Sequence, residues 1–129
     1  MKTSEANPSD WFFLAKERLA SADALLAARG ACYSAVELLH ESVERFLKGY
    51  LVERGWQLER IHDLNRLLDL ATKHHPGFSR FQLLAQSLTE QFWAQHYPGD
   101  DISEVGLDFP FLRAQAGELV ALITSTPTL

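Results

Sequence analysis

The chain has 129 residues, which suffice for one domain with a single hydrophobic core. Apolar residues make up 47% of the chain and charged residues 22%, so the composition excludes an intrinsically disordered protein. The formal net charge of -5 excludes a broad basic surface for duplex nucleic acid but leaves room for a small basic site. We expect one domain over residues 1–129, with an ordered core over residues 8–123.

The first two helices are predicted from apolar periodicity and from the residues at their ends. Asn7 is a good N-cap, Pro8 suits the first helical position, and Gly30 ends the helix because glycine readily adopts a left-handed conformation. The second helix is expected from Ala31 to Arg54. Its apolar stripe is wide, which predicts a central helix with neighbours on more than one side.

Three further helices follow. Asp63 is the predicted N-cap of the third helix and Ser79 that of the fourth, which should end near His96 because a proline follows closely. A last helix is expected after Asp108, with Pro110 in its first turn. The short connections make sequential helices antiparallel neighbours. The predicted fold class is therefore all-α, an antiparallel up-and-down four-helix bundle with a short additional helix.

The sequence also predicts where the protein resides. The N-terminal residues lack the apolar stretch of a signal peptide, and no run of about 18 apolar residues occurs. We therefore expect a soluble, cytoplasmic protein that does not enter a membrane. Cys32 lies among apolar residues and is expected to be buried, and the absence of a second cysteine excludes an intrachain disulfide.

Several common catalytic motifs are missing from the sequence. It contains no phosphate-binding glycine-rich loop, no paired-cysteine metal motif and no serine-nucleophile elbow, and its histidines do not form the zinc-protease pattern. The sequence therefore predicts neither a cofactor nor a bound metal ion.

The first cluster of polar residues lies on the second helix. His40, Glu44 and Lys48 are spaced four residues apart and share one helical stripe. This stripe is either a solvated face with an ordinary Glu44–Lys48 ion pair or part of a functional site.

Two more clusters lie at helix ends. His62, beside Asp63, either organises a helix start or acts as a ligand or proton donor near neutral pH. His96 and Tyr97 precede two aspartates. This third cluster is a helix terminator with Tyr97 packed over the end of the bundle, or, with the aspartates, a divalent cation site.

The order of these clusters resembles the HEPN domain of bacteria and archaea. The run from His40 to Lys48 is similar to that family's pattern of two polar residues, a small residue, Val, Glu, a basic residue and a closing Lys. Residues 62–64 read His-Asp-Leu, as in the family, and residues 96–98 read His-Tyr-Pro where the family usually has Arg-Tyr-Pro. The resemblance covers residues 10–123.

This resemblance implies a helical bundle that forms a homodimer and has a nucleotide or RNA ligand. It also implies a protein partner, since many family members are encoded beside a minimal nucleotidyltransferase and act with it as a toxin–antitoxin pair. The residues carried over as a ligand-binding set are Glu44, Lys48, His62, Asp63, His96 and Tyr97.

Many other family members are metal-independent ribonucleases that use an Arg, four to six intervening residues and a His. That motif is absent here, since seven residues separate Arg54 from His62 and seven separate Arg66 from His74. The leading interpretation is therefore a non-catalytic binding protein. The alternatives are a degenerate ribonuclease with His62 or His96 as general acid or base, and a helical protein-interaction scaffold.

Overall fold

The computed structural model describes residues 1–96 and 105–126, and of residues 105–108 the backbone alone. The described part of the chain contains five α-helices, one 3-10 turn and no strand, which confirms the all-α fold class. The elements are α1 (Pro8–Arg29), α2 (Tyr33–Glu53), α3 (Leu64–Thr72), the 3-10 turn (Pro76–Phe81), α4 (Gln82–His96) and α5 (Val105–Ser125).

The predicted N-caps of α1 and α3 are confirmed, and so is the glycine that ends α1. The Asn7 side chain accepts a hydrogen bond from the backbone N–H of Ser9 at 3.0 Å, and Gly30 has a φ of 77°. At α3, the Asp63 carboxylate accepts from the backbone N–H of Asn65 at 2.9 Å. Both side chains satisfy amides that a helix start leaves without a partner.

The predicted starts of the last two helices are wrong. Ser79 does not cap α4, because it lies inside the 3-10 turn, which His75 caps by accepting from the N–H of Gly77 at 3.0 Å. Helix α5 begins at Val105 rather than after residue 108, so Pro110 lies inside it. The proline costs one backbone hydrogen bond, but burial of Phe109 and Leu112 on either side stabilises the turn.

Helix α2 is the central helix, as predicted, and it contacts α1, α3, α4 and α5. Its most extensive contact is with α1, and the two helices are antiparallel. Near the start of α1, Phe12 approaches Gly49 so closely that a Cβ atom on Gly49 would lie 2.7 Å from the phenyl ring. Further along, the buried hydroxyl of Ser42 donates to the carbonyl of Ala15 at 2.8 Å.

The hydrophobic core is continuous and surrounds α2. Its largest fully buried side chains are Phe46, Tyr50, Phe78, Phe81 and Phe109. Cys32 is only half-buried rather than part of this core, because it lies at the N-cap of α2. No helix in residues 1–96 or 105–126 is both long and apolar enough to cross a membrane.

Candidate functional site

The polar stripe of α2 is buried. His40, Glu44 and Lys48 are 1, 5 and 4% exposed, so the interpretation of this stripe as a solvated helix face is wrong. The reason is that α4 and the segment preceding α3 cover this side of the helix, as the contacts of His40 with Phe92 and His62 show. Since a buried charge is costly unless it is paired, the arrangement of these groups has to supply the compensation.

Glu44 is the centre of this polar network. Its Oε2 accepts from Nζ of Lys48 at 2.8 Å, and its Oε1 accepts from Nδ1 of His62 at 3.0 Å. Burial raises the pKa of the Glu44 carboxyl, but the hydrogen bonds from Lys48 and His62 and the charge of Lys48 outweigh it and leave the pKa below its ordinary value. Glu44 is therefore an anion at neutral pH, paired with the buried Lys48 ammonium.

The same contact fixes the chemistry of His62. Because the carboxylate of Glu44 accepts from Nδ1, the tautomer that this contact favours is the one whose Nε2 keeps a lone pair. The His62 side chain is 55% exposed, so this half of the imidazole can meet a ligand.

The buried ring of His40 binds the backbone of His62. Its Nε2 donates to the backbone carbonyl of His62 at 3.0 Å, whereas its Nδ1 is buried without a hydrogen-bond partner among the described residues. Burial lowers the pKa of His40 to about 4, which outweighs the raising effect of the nearby Glu44 charge. His40 is thus a neutral donor that fixes the backbone of His62.

Phe92 of α4 brings three imidazoles together. Its ring centroid lies 4.6 Å from that of His40, 5.5 Å from that of His62 and 4.2 Å from that of His96. His96 is also bound by a carboxylate, with 2.7 Å between its Nε2 and Oε1 of Glu37. The structure therefore brings His62 and His96 to the same aromatic ring, each paired with a glutamate of α2.

A cleft of about 220 Å³ opens beside His62, between α1, α2 and the segment before α3. We call it the basic cleft. It is lined by Trp11, Glu44, Arg45, Lys48, Leu58, Arg60 and His62. Three of these side chains are cationic and one is anionic, and Nζ of Lys48 lies 5.8 Å from the centroid of the Trp11 ring. This is a local basic site on a chain of net charge -5.

The predicted site residues divide into groups. Glu44, Lys48 and His62 meet at the basic cleft, and His96 lies beside them at Phe92. Asp63 caps α3 and is not among the residues that line the cleft. Tyr97, like the Pro98 and the two aspartates that follow it, lies outside the described residues.

Sequence reasoning missed Trp11, Arg45 and Arg60 as lining residues and Phe92 as a site residue. A weak signal was present for two of them, because Arg45 follows Glu44 directly and Arg60 lies two positions before His62. Phe92 is spaced like the other apolar residues of its helix, and nothing in the sequence marks it as a contact of three histidines. Within residues 1–96 and 109–126, no group of three or more His, Cys, Asp or Glu is arranged to hold a metal ion.

One family model matches the chain along nearly its whole length. The family model of the HEPN domain matches residues 8–121. The chain belongs to the HEPN domain family. HEPN domains have nucleotide- and RNA-related functions, and the resemblance seen in the sequence is thereby confirmed. Comparison with curated proteins and with solved structures gave no match.

Proposed function

We propose that this HEPN chain is a non-catalytic binding protein that takes a nucleotide or RNA by its phosphate in the basic cleft. The observation that carries the proposal is the convergence of Arg45, Lys48 and Arg60 on one cleft of about 220 Å³ in an otherwise acidic chain. Glu44 neutralises one of these cations, so the lining keeps a net positive charge.

The chemistry of the lining suits a phosphate with an attached base. Arg45 and Arg60 present guanidinium groups, which bind phosphate oxygens in pairs. The lone pair on Nε2 of His62 can accept a hydrogen bond from a hydroxyl or N–H group of the same ligand. Trp11 forms one wall, and its half-buried ring offers a surface on which a base can stack. Because a few local groups supply the binding energy, the acidic net charge of the chain does not oppose it.

The test is isothermal titration with ATP and with short single-stranded RNA. We expect the wild-type chain to bind, and Arg45→Gln to weaken binding about tenfold through loss of a charge-assisted hydrogen bond. Arg66→Gln is the matched control, because this exposed arginine of α3 does not line the cleft. Absence of binding by the wild-type chain, or equal affinity in Arg45→Gln and Arg66→Gln, would contradict the proposal.

We further propose that the chain is a homodimer and the partner of a minimal nucleotidyltransferase in a toxin–antitoxin-like system. Membership of the HEPN family and the exposure of large apolar side chains support this. Among the described residues, Phe13, Tyr33, Leu83, Trp93 and Phe111 are 40–56% exposed. Aromatic side chains are enriched at the centres of protein interfaces. Light scattering at tens of micromolar tests the dimer, and co-purification with a nucleotidyltransferase encoded beside the chain tests the partner.

A second candidate function is metal-independent RNA cleavage. It is favoured by one observation, the two histidine–carboxylate pairs His62–Glu44 and His96–Glu37 at one phenyl ring. A carboxylate fixes the tautomer of an imidazole, which prepares the other nitrogen for proton transfer.

This candidate predicts cleavage of short RNA in EDTA that is lost in both His62→Ala and His96→Ala. His74→Ala, at an exposed histidine on another part of the surface, is the control. If both RNA cleavage and nucleotide binding are absent, the chain is better described as a helical interaction scaffold.

A further inference from the structure

The segment before α1 folds onto the basic cleft. Oε1 of Glu5 lies 2.8 Å from a terminal nitrogen of Arg60, and the backbone carbonyl of Glu5 accepts from the indole Nε1 of Trp11 at 2.8 Å. Arg60 and Trp11 both line the basic cleft. One residue of the N-terminal segment therefore engages two of the groups that a ligand would use.

This placement is supported by local hydrogen bonds. The backbone N–H of Ser4 donates to the Asp10 carboxylate at 2.9 Å, and the N–H of Asn7 donates to the carbonyl of Ser4 at 3.1 Å. The segment thus forms a turn against the first turn of α1. As a result the Glu5 carboxylate is directed to Arg60, which lies 55 positions later in the chain.

We propose that Arg60 is the subsite for the terminal phosphate of the ligand, and that Glu5 fills this subsite in the free protein as an internal competitor. The inference rests on the proposed function and specifies how the same cleft is regulated. A carboxylate oxygen at 2.8 Å from a guanidinium nitrogen has the geometry that a phosphate oxygen takes. The ligand therefore has to displace Glu5 before its phosphate reaches Arg60.

The ion pair between Glu5 and Arg60 is weak enough for a ligand to displace Glu5. The Arg60 and Glu5 side chains are 79% and 53% exposed, and ion pairs this exposed are weak. A terminal phosphate carries more charge than a carboxylate, and the cleft that Arg60 lines holds a second guanidinium group, that of Arg45. We therefore expect removal of the Glu5 charge to tighten binding by about two- to fivefold, the factor that corresponds to an exposed ion pair.

The experiment titrates the full chain with pyrophosphate and, in parallel, with ATP at physiological ionic strength. Glu5→Gln should lower Kd by about two- to fivefold. Glu59→Gln removes the same charge from the neighbour of Arg60 and should change Kd by less than that, because long-range effects are screened. Arg60→Gln should weaken binding, and in that background Glu5→Gln should no longer tighten it, which completes a double-mutant cycle.

A second readout follows the displacement itself. Because the Trp11 indole N–H donates to the Glu5 carbonyl, ligand binding should shift its NMR resonance and speed its exchange with solvent. Circular dichroism confirms that each variant is folded. Binding with equal Kd in wild type, Glu5→Gln and Glu59→Gln would overturn the competitor and leave the proposed function intact. Absence of binding in every folded variant would overturn both.

Discussion

The ring of His40 fixes the backbone of His62, since Nε2 of His40 donates to the His62 carbonyl at 3.0 Å. The imidazole of His62 is bound to Glu44, one helical turn after His40 on α2. Two residues of one helix, α2, therefore hold both the backbone and the imidazole of His62 in position. This relationship makes the site depend on His40, which does not itself line the basic cleft.

The first prediction concerns the pH dependence of stability. Burial lowers the pKa of His40 to about 4 in the folded protein, whereas a histidine in the unfolded chain titrates near 6.5. Between these values the unfolded state binds a proton that the folded state does not. Above pH 6.5 the protonation of His40 therefore does not change the free energy of unfolding. As pH falls from 6.5 toward 4, it lowers that free energy by up to about 1.4 kcal/mol per pH unit.

The measurement is urea unfolding at several pH values between 7 and 5.5, where the glutamates of the unfolded chain remain largely ionised. His40→Gln retains a donor for the His62 carbonyl but cannot titrate, so its free energy of unfolding should fall less steeply than that of the wild type. Parallel curves for the two proteins would contradict the assignment of a neutral, buried His40.

The second prediction concerns the buried ion pair. Glu44→Gln preserves shape but leaves the Lys48 ammonium buried without a counter-charge, which should lower the free energy of unfolding by about 3–5 kcal/mol. Glu41→Gln is the control on the same helix. Glu41 pairs with Arg18 at 3.3 Å near the surface, and its replacement should cost less than about 1 kcal/mol.

A double variant tests the cause of that loss. Lys48→Met in the Glu44→Gln background removes the unpaired charge, so it should recover most of the lost stability. If the double variant is as unstable as Glu44→Gln alone, the cost arises from packing or from His62 rather than from the buried ammonium. The measurement is chemical denaturation of the wild type, Glu44→Gln, Glu41→Gln and the Glu44→Gln/Lys48→Met double variant.

The third prediction uses two helical glycines with opposite surroundings. Gly49→Ala places a methyl group 2.7 Å from the Phe12 ring and 3.0 Å from Cβ of Trp11, and should destabilise the fold by about 1–3 kcal/mol. In Gly117→Ala the nearest atom is a terminal guanidinium nitrogen of Arg113 at 3.3 Å, which has to shift by only a few tenths of an ångström. There the gain in helix propensity should stabilise by up to about 1 kcal/mol. Changes of the same sign in thermal denaturation would contradict this account of the α1–α2 contact.

The fourth prediction concerns the ion pair that links α1 to α5. Nε of Arg113 lies 2.7 Å from Oδ1 of Asp23, and a second guanidinium nitrogen lies 3.0 Å from Oδ2. This pairing lowers the pKa of Asp23, so its contribution is present at neutral pH and is lost as the carboxyl protonates in acid. Asp23→Asn should cost up to about 1 kcal/mol at pH 7, since the pair is partly exposed.

Two comparisons make that measurement specific. Arg113→Lys should lose most of the same stability, because an ammonium cannot form two parallel hydrogen bonds to one carboxylate. Glu17→Gln, on the same helix as Asp23 and exposed, should have little effect. Full retention of stability in Asp23→Asn would show that the Asp23–Arg113 pair does not stabilise the fold.

Sequence reasoning predicted the fold well because the relevant signals are local. Asn7, Gly30 and Asp63 each act within a few residues of their own position, and the wide stripe of α2 follows from spacing along one helix. The error at α5 has the opposite origin. The rule against an internal proline is local, whereas the burial of Phe109 that outweighs it depends on the packed bundle.

The site was only partly predictable for the same reason. Spacing placed His40, Glu44 and Lys48 on one stripe, but charge alone suggested that the stripe faces water. Its burial depends on segments that are distant in sequence. The ion pair of Arg60 with Glu5 was not predictable either, because no local rule relates two residues separated by 55 positions.

The position of the polar network inside the central helix also constrains how the chain can vary in length. An α-helix turns by about 100° per residue, so one residue inserted between Val43 and Glu44 would rotate the rest of α2 by that angle. The Glu44–Lys48 pair would turn away from His62, and Phe46 and Tyr50 would leave the core in the same step. We therefore expect relatives of this chain to differ in length in their loops, and to keep the length of α2 between Glu37 and Lys48 unchanged.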